Sequence, residues 1–183
     1  NRIGGIMITI DGGTGIILHN GVEVASEKMV DFWYLNVDIG SSDSDSALPG
    51  SKFTRNNKNA GASTVGTGMS VDSSSGIWTF PTTGTYMVDI HINNRANNGD
   101  NTYFHVQSTT NNSTYVDCKR LQSSSSGADG NGHSGSGSYL MNVTDTSQVK
   151  LRFIPYSLAS GSVHEGLEGT YLQSTVCFTR ISR

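Results

Sequence analysis

The chain has 183 residues, of which 15% are charged and 22 are glycine, and its formal net charge is −3. Few charges and much glycine indicate an all-β protein with many turns rather than a helical one. The net charge argues against nucleic-acid binding, which needs a dense basic face, and no apolar run reaches the ~18 residues of a membrane-spanning helix.

Residues 1–30 contain short apolar runs that are broken by Asp-Gly-Gly at residues 11–13 and by Asn-Gly at residues 20–21. Asn-Gly is typical of two-residue hairpin turns, because both of its positions adopt positive φ. We therefore expect an attachment segment of small β-hairpins that is too short for a core of its own. Because the chain begins at Asn1 rather than at Met, we also expect a fragment or a processed product.

The first half of the remaining chain predicts three strands. Residues 31–39, DFWYLNVDI, are dense in aromatic and β-branched side chains, residues 41–64 are mostly loop, and residues 68–80 end in a strand. Residues 85–93 alternate strictly between apolar and other side chains, which is typical of an antiparallel sheet with one buried face. The apolar face of this strand consists of Tyr86, Val88, Ile90 and Ile92.

The second half of the chain predicts a hairpin followed by a long loop. Residues 101–107 are expected to pair with residues 113–121 across a short polar connection. Residues 123–138 are rich in Ser and Gly, and this composition predicts a flexible loop.

Three further strands complete the predicted sheet. Residues 138–143 and 149–154 lie on either side of a tight turn, and in the second of them Lys150 and Arg152 are expected to face solvent. Residues 170–181 are expected to form the last strand. Eight to ten strands, short connections and no convincing helix predict an antiparallel β-sandwich or jelly roll.

The sequence contains no convincing catalytic or metal motif. Residues 130–135 fit G-x-G-x-x-G, but a dinucleotide site needs a strand before it and a helix after it, and neither is predicted. Asp89 and His91 share a strand face, where a solvated surface or a subunit contact is favoured over an acid–base pair. Asp43 and Asp45 offer carboxylates to Ca²⁺, but calcium takes six or more oxygen ligands, so no cofactor is expected.

Other candidate residues are scattered along the chain. Cys118 and Cys177 are too few for a disulfide framework, and buried free thiols are favoured over a bridge. His164 and Glu165 lie in a predicted loop and are candidates for ligand binding. A carbohydrate-active enzyme would need two carboxylates in one cleft, and we expect no enzyme because the available acids fall on different strands and loops. These acids are Asp89, Asp117, Asp145, Glu165 and Glu168.

Residues 78–88, WTFPTTGTYMV, resemble the passage between the second and third strands of the C1q/TNF-like jelly roll. That family has an aromatic residue, a turn glycine and then Tyr-x-Val, and Gly84, Tyr86 and Val88 match the latter part. Gly84 is free to adopt backbone angles that other residues avoid, and Pro81 prevents the preceding strand from continuing its ladder.

The resemblance covers residues 31–183, which we expect to be the jelly-roll domain, although the family's closing F-x-G-x-x-L pattern is absent. The Ser-, Thr- and Asn-rich body and the ending CFTRIS are most similar to C1q-like domains of virion proteins from tailed bacteriophages, especially marine ones. The core expected from the strand patterns and the resemblance consists of Trp33, Trp78, Phe80, Tyr86, Val88, Ile90, Leu151, Phe153 and Phe178.

The resemblance implies a non-enzymatic homotrimer on the virion surface, in which Tyr171, Tyr103 and His105 are candidate interface residues. As the projecting or distal domain of a phage fibre, spike or decoration, the chain would attach to a host-surface glycan or protein. It would contact other virion proteins through residues 1–30 or through sequence upstream. The loops expected to meet the host are residues 41–64, 123–137 and 157–169.

The alternative that the resemblance leaves open is a secreted, extracellular C1q-like module that binds a receptor or a glycan in recognition or signalling. Upstream collagen repeats and a signal peptide would favour it. The N-x-[ST] triplets that begin at Asn111, Asn112 and Asn142 become glycosylation sites only in that case.

Overall fold

The computed structural model describes residues 8–11, 16–19, 22–25, 28–57, 63–97, 99–124 and 132–182. These residues form strands and two 3₁₀ turns, Ser41–Asp43 and Gly50–Lys52, and no helix among them is long and apolar enough to cross a membrane. The strands are Ile8–Asp11 (β1), Ile16–His19 (β2), Val22–Ala25 (β3), Met29–Leu35 (β4), Phe53–Arg55 (β5), Thr64–Val65 (β6), Ser70–Val71 (β7), Trp78–Thr79 (β8), Gly84–Arg95 (β9), Asn101–Thr109 (β10), Val116–Ser124 (β11), Gly132–Val143 (β12), Lys150–Tyr156 (β13), Val163–His164 (β14), Leu167–Glu168 (β15), Tyr171–Leu172 (β16) and Thr175–Ser182 (β17).

Two antiparallel sheets enclose the core. The large sheet has the strand order β12-β9-β17-β4-β5, with β14 paired to β9 and β6 paired to β4, and the small sheet has the order β11-β10-β13-β8-β7. Neighbours such as β9 and β17 are distant in sequence, as the crossovers of a jelly roll require. The predicted all-β sandwich is therefore confirmed. At the N-terminus β1, β2 and β3 pair as a separate antiparallel sheet, in agreement with the hairpins expected there.

Strand β9 shows how alternation in the sequence creates the core. The residues Tyr86, Val88, Ile90 and Ile92 are at most 2% exposed, whereas the intervening Asp89 and His91 are exposed on the other face. Each buried apolar side chain of this size favours folding by about 1.5–3 kcal/mol before the loss of chain entropy. The nine residues expected in the core are at most 9% exposed.

The centre of the core is a cluster of aromatic rings around Trp78, which is fully buried. Trp78 lies on the small sheet, and its ring contacts Trp33 and Phe178 of the large sheet, each at a centroid distance of 5.0 Å. Phe53 and Phe153 also pack against it, at 5.2 and 5.7 Å. These contacts join the two sheets.

Strand β12 corrects the prediction of a flexible loop at residues 123–138 for its second part, residues 132–138, whereas residues 125–131 lie outside the described residues. From Gly132 to Val143 it pairs with β9 without interruption. One of the glycines that suggested a loop, Gly137, is closely packed, because a Cβ there would lie 2.8 Å from the Lys119 side chain and 3.0 Å from Leu121. The described part of the G-x-G-x-x-G match, residues 132–135, lies within this strand.

Two smaller predictions are also wrong. Residues 170–181 are not one strand, because Tyr171–Leu172 pairs with β15 and the sheet strand begins only at Thr175. Lys150 does not face solvent but is 9% exposed. Its Nζ donates hydrogen bonds to Thr79 Oγ1 at 3.0 Å and to a backbone carbonyl at 2.7 Å, so the buried ammonium has polar partners.

Gly84, the turn glycine of the motif, begins β9 with a φ of +141°. A Cβ at this position would lie 2.4 Å from the carbonyl oxygen of Ser182. Both the backbone angle and the close approach of another chain segment therefore require glycine.

We expect Gly84→Ala to lower the free energy of unfolding by about 1–3 kcal/mol, because it strains the backbone and crowds the main chain. Urea denaturation followed by circular dichroism measures this. Gly135→Ala is the matched control, since its Cβ would meet no atom closer than 3.7 Å. Equal midpoints for the two variants would contradict the requirement for glycine at position 84.

Candidate interaction surfaces

The outward face of the large sheet carries a line of largely apolar side chains across five strands. Opposed residues of an antiparallel pair share a face, so the pairing of β12, β9, β17, β4 and β6 places their side chains in one row. This apolar row consists of Leu140, Met87, Thr179, Val30 and Val65. Leu140 is 55% exposed and Val65 is 48% exposed. Met87 and Thr179, in the middle of the row, are partly exposed. A continuous row of this kind, unlike a single exposed leucine, is typical of a contact surface.

A shallow groove of about 380 Å³ adjoins the apolar row. Asp89 accepts a hydrogen bond from Ser138 Oγ within it, and among the described residues no hydrogen bond or ion pair joins Asp89 to His91. Burial raises the pKa of the Cys177 thiol, which also lines the groove. The arrangement supports a polar surface rather than an acid–base pair at Asp89 and His91.

Tyr103 and His105, two of the candidate interface residues, lie together on the outward face of the small sheet. The ring of Tyr156 contacts both, at centroid distances of 6.3 Å to Tyr103 and 5.2 Å to His105. The Arg120 guanidinium lies 5.0 Å from the centre of the Tyr103 ring. Because the two sheets pack back to back, this aromatic patch points away from the apolar row.

Hydrogen bonds hold the polar groups of the same face in place. The pKa of Asp117 is lowered, chiefly because Gln107 Nε2 donates to its carboxylate at 2.8 Å, and His105 adds to the effect. Gln107 in turn accepts a hydrogen bond from Arg152 Nε at 2.8 Å. Cys118 on the neighbouring strand is a free, half-buried thiol whose pKa burial raises.

A polar cavity of about 430 Å³ opens at one end of the large sheet, where β4 and β9 end and β17 begins. Arg95 lies between two of its carboxylates, 3.6 Å from Asp38 and 3.9 Å from Glu165. We call it the end cavity. Its lining consists of Asn36, Val37, Asp38, Arg95, Glu165, Leu167, Glu168 and Gln173.

Tyr171, the third candidate interface residue, lies apart from Tyr103 and His105. It belongs to the hairpin of β15 and β16, where it is paired with Glu168 of the end cavity. Its side chain is among the most accessible apolar groups of the described chain, at 76% exposure. The structure therefore places Tyr171 opposite a residue that lines the end cavity rather than on a face of either core sheet.

The two neighbouring loop candidates, His164 and Glu165, separate in the structure. Glu165 lines the end cavity, whereas His164 is 1% exposed. The Nδ1 atom of His164 contacts the side-chain oxygen of Asn94, and its Nε2 lies 3.1 Å from the carbonyl oxygen of Tyr103. Burial lowers the pKa of His164 to about 4.

The two calcium candidates already have protein partners. Lys52 Nζ lies 3.1 Å from the Asp43 carboxylate, and the Ser157 backbone N–H donates to Asp45 at 3.4 Å. No group of three or more His, Cys, Asp or Glu side chains in the described part of the chain is arranged to hold a metal ion. The expectation that no cofactor binds at Asp43 and Asp45 stays a prediction.

Comparison with known proteins identifies the fold. No protein-family model and no curated protein sequence matches the chain. The solved structure of the TNF Eiger from S. frugiperda aligns with a TM-score of 0.61 at 12% identity, over 85% of this chain and 94% of that one. Murine APRIL aligns with a TM-score of 0.54 at 9% identity, over 84% of this chain and 99% of that one. The fold is a TNF-like jelly roll.

The likeness confirms the jelly roll that residues 78–88 indicated, and at these identities it establishes the fold alone. The end cavity was missed by sequence reasoning because its walls come from four separate segments, near residues 37, 95, 166 and 173. Of its lining residues, the sequence analysis named only Glu165, as a binding candidate, and Glu168, as one of the scattered acids.

Proposed function

We propose that the chain is a non-enzymatic recognition domain that works as a homotrimer. It would be the projecting or distal domain of a bacteriophage tail fibre, spike or decoration. In that position it would attach the virion to a host-surface glycan. The TNF-like fold supports the recognition role, and the phage setting rests on the resemblance of the Ser-, Thr- and Asn-rich body and the ending CFTRIS to C1q-like virion domains. The observation that carries it is the apolar row, which self-association would remove from water.

The large sheet is the face best suited to the contact between copies. Its outward surface adds Ile181, which is 50% exposed, to the apolar row, and the groove beside the row offers polar partners. An interface with an apolar centre and a polar rim is typical of stable assemblies. Tyr103, His105 and Tyr171 are the competing interface candidates, and all three lie off this face.

The 183-residue chain is expected to have a solution mass near three times 19.5 kDa by light scattering after size exclusion. Leu140→Asp should produce monomers at micromolar concentration, because it would bury an unpaired charge in the contact. Val116→Asp is the control, since Val116 is 60% exposed on the edge strand of the small sheet. A monomeric wild type, or dissociation of both variants, would rule out a trimer through the large sheet.

The alternative function, a secreted C1q-like recognition or signalling module, shares the fold and differs in location. Immunogold labelling with an antibody against this domain should mark projections on phage particles. Labelled protein free of particles, with N-glycans at the exposed Asn112 or Asn142, would instead favour the secreted module.

The non-enzymatic part of the proposal can be tested at one place. Among the acids considered from the sequence, Glu165 and Glu168 line the same cavity, whereas Asp89 and Asp117 lie on opposite sheets. Polysaccharide hydrolysis by the wild type that is lost in Glu165→Ala would show an enzyme.

A further inference from the structure

We propose that the end cavity binds an uncharged glycan, with its carboxylates accepting hydrogen bonds from sugar hydroxyls and Tyr171 packing on a sugar face. This inference rests on the proposed recognition function, for which it names the ligand class and the site. The cavity volume of about 430 Å³ lies in the range of small-ligand sites.

The carboxylates of the cavity keep free acceptor capacity. Glu165 accepts one hydrogen bond from Asn93 Nδ2 at 3.0 Å, and Asp38 accepts one from the Gly166 backbone N–H at 2.9 Å. Glu168 accepts one hydrogen bond from a glutamine amide at 3.1 Å. An ionised carboxylate has about four lone-pair sites, so each of these three carboxylates can accept further hydrogen bonds from a ligand. Adjacent hydroxyls of a sugar are donors that suit the two oxygens of one carboxylate.

The same contacts hold the cavity in shape before a ligand binds. Asn93 Nδ2 donates to Glu165 and also to Gln173 Oε1, at 2.8 Å, so one amide bridges two walls. Arg95 lies between Asp38 and Glu165 and limits their movement. Since ordering side chains weakens binding, a site that is already ordered retains more of its contact energy.

Tyr171, paired with Glu168 of the cavity lining, provides the apolar part of the proposed glycan site. Its ring is largely exposed, and the turn at Gly169, with φ of +59°, brings its strand back beside Glu168. Val37 and Leu167 add apolar surface to the lining. A sugar ring has hydroxyl edges and apolar C–H faces, and an amphipathic tyrosine next to carboxylates and amides complements both.

The charges of the cavity favour an uncharged ligand. Asp38, Glu165 and Glu168 carry three negative charges and Arg95 carries one positive charge, which leaves two negative charges. This field repels sialylated, uronate and sulfated sugars. The net negative charge would attract a cation, but the Arg95 guanidinium already occupies the position between Asp38 and Glu165.

Saturation-transfer NMR on the 183-residue chain tests the inference. The probes are neutral oligosaccharides of mannose, galactose, glucose and N-acetylglucosamine, together with sialylated and sulfated counterparts, in the presence of EDTA. We expect a neutral oligosaccharide to bind and the charged ones not to bind. Tyr171→Ala and Glu165→Gln should each weaken binding by about tenfold. Tyr156→Ala is the matched control, since it removes a 48% exposed tyrosine from the small sheet and should leave binding unchanged.

Binding to none of the probes, a preference for the charged ones, or equal weakening by Tyr156→Ala would overturn the inference. Light scattering on the same samples separates it from the proposed trimer, because Tyr171 and Glu165 lie outside the apolar row. A trimeric wild type without glycan binding refutes the end cavity as the site and leaves the trimer standing. A monomeric wild type that binds glycan supports the site and refutes the trimer.

Discussion

Trp78→Ala is expected to lower the free energy of unfolding by about 3–5 kcal/mol, the range for deleting a large buried aromatic side chain. Trp78 is fully buried and contacts Trp33 and Phe178 across the sandwich. Its loss removes the contacts of this ring with the large sheet and leaves a cavity between the two sheets. Because the remaining rings are held by their own strands, we expect little collapse into that cavity.

Chemical denaturation followed by far-UV circular dichroism measures the loss without relying on tryptophan fluorescence. Trp78→Phe should retain most of the stability, because it keeps a ring and removes an indole N–H that has no hydrogen-bond partner among the described residues. Val116→Ala, on the exposed edge of the small sheet, should change stability by less than about 0.5 kcal/mol. A loss below about 1 kcal/mol for Trp78→Ala would show that the sheets do not depend on this ring.

The parts of the fold that the sequence predicted are those in which one short segment contains the whole pattern. Residues 85–93 of strand β9 alternate in the sequence, and the buried face of the strand follows from that alternation alone. The motif of residues 78–88 combines a turn glycine with a core tyrosine, and Gly84 proved to need both its φ and its lack of a Cβ. Local chemistry was sufficient in both cases.

The predictions that failed depended on partners far away in the sequence. Residues 132–138 have the composition of a loop, but pairing with β9 makes them a strand, because the backbone hydrogen bonds of a sheet do not depend on side-chain type. Lys150 follows the alternation expected of an exposed residue, yet Thr79, 71 residues away, accepts a hydrogen bond from its buried ammonium. Neither contact can be inferred from the local pattern.

The candidate sites, like the fold, were predictable only where one short segment contains the whole pattern. Sequence analysis singled out Glu165 and Tyr171 for separate reasons, but their proximity depends on the hairpin of β15 and β16. Asp38 and Arg95 carry no local pattern, and the ends of β4 and β9 bring them to the same cavity. Residue types can suggest binding chemistry, whereas the fold decides which residues act together.

Between pH 7 and pH 5 the free energy of unfolding is expected to fall by about 2 kcal/mol because of His164. Its pKa is lowered by burial from an ordinary 6.5 to about 4 in the folded protein. In this range the unfolded chain takes up a proton at His164 and the folded chain does not, so acid favours unfolding. The contribution is fully present above the unfolded pKa of 6.5 and is lost as the pH falls towards about 4.

Between pH 7 and pH 5 the contribution of His164 to stability can be told apart from the contributions of the carboxylates. Asp117 and Asp145 also have lowered pKa values, so their stabilisation is likewise lost in acid, but their ordinary value of 3.8 places that loss mainly below pH 5. Urea denaturation at pH 7, 6 and 5 isolates the histidine. His164→Gln should flatten the pH dependence whatever its own stability, and His91→Gln, which removes an exposed histidine from β9, should leave it unchanged.

A pH dependence that persists in His164→Gln would contradict the assignment of the loss of stability to His164.

If His164 causes the loss of stability in acid, its protonation should also affect the end cavity. His164 forms β14 together with Val163, this strand pairs with the end of β9, and the next residue, Glu165, lines the end cavity. Protonating His164 would place a charge between Asn94 and the ring of Phe104, which packs edge-on against it at 5.3 Å. Acid should therefore loosen β14 before the rest of the sheet, and the protection of amides near residues 163–165, relative to their intrinsic exchange rate at each pH, should fall at pH 5 before that of β9 and β17.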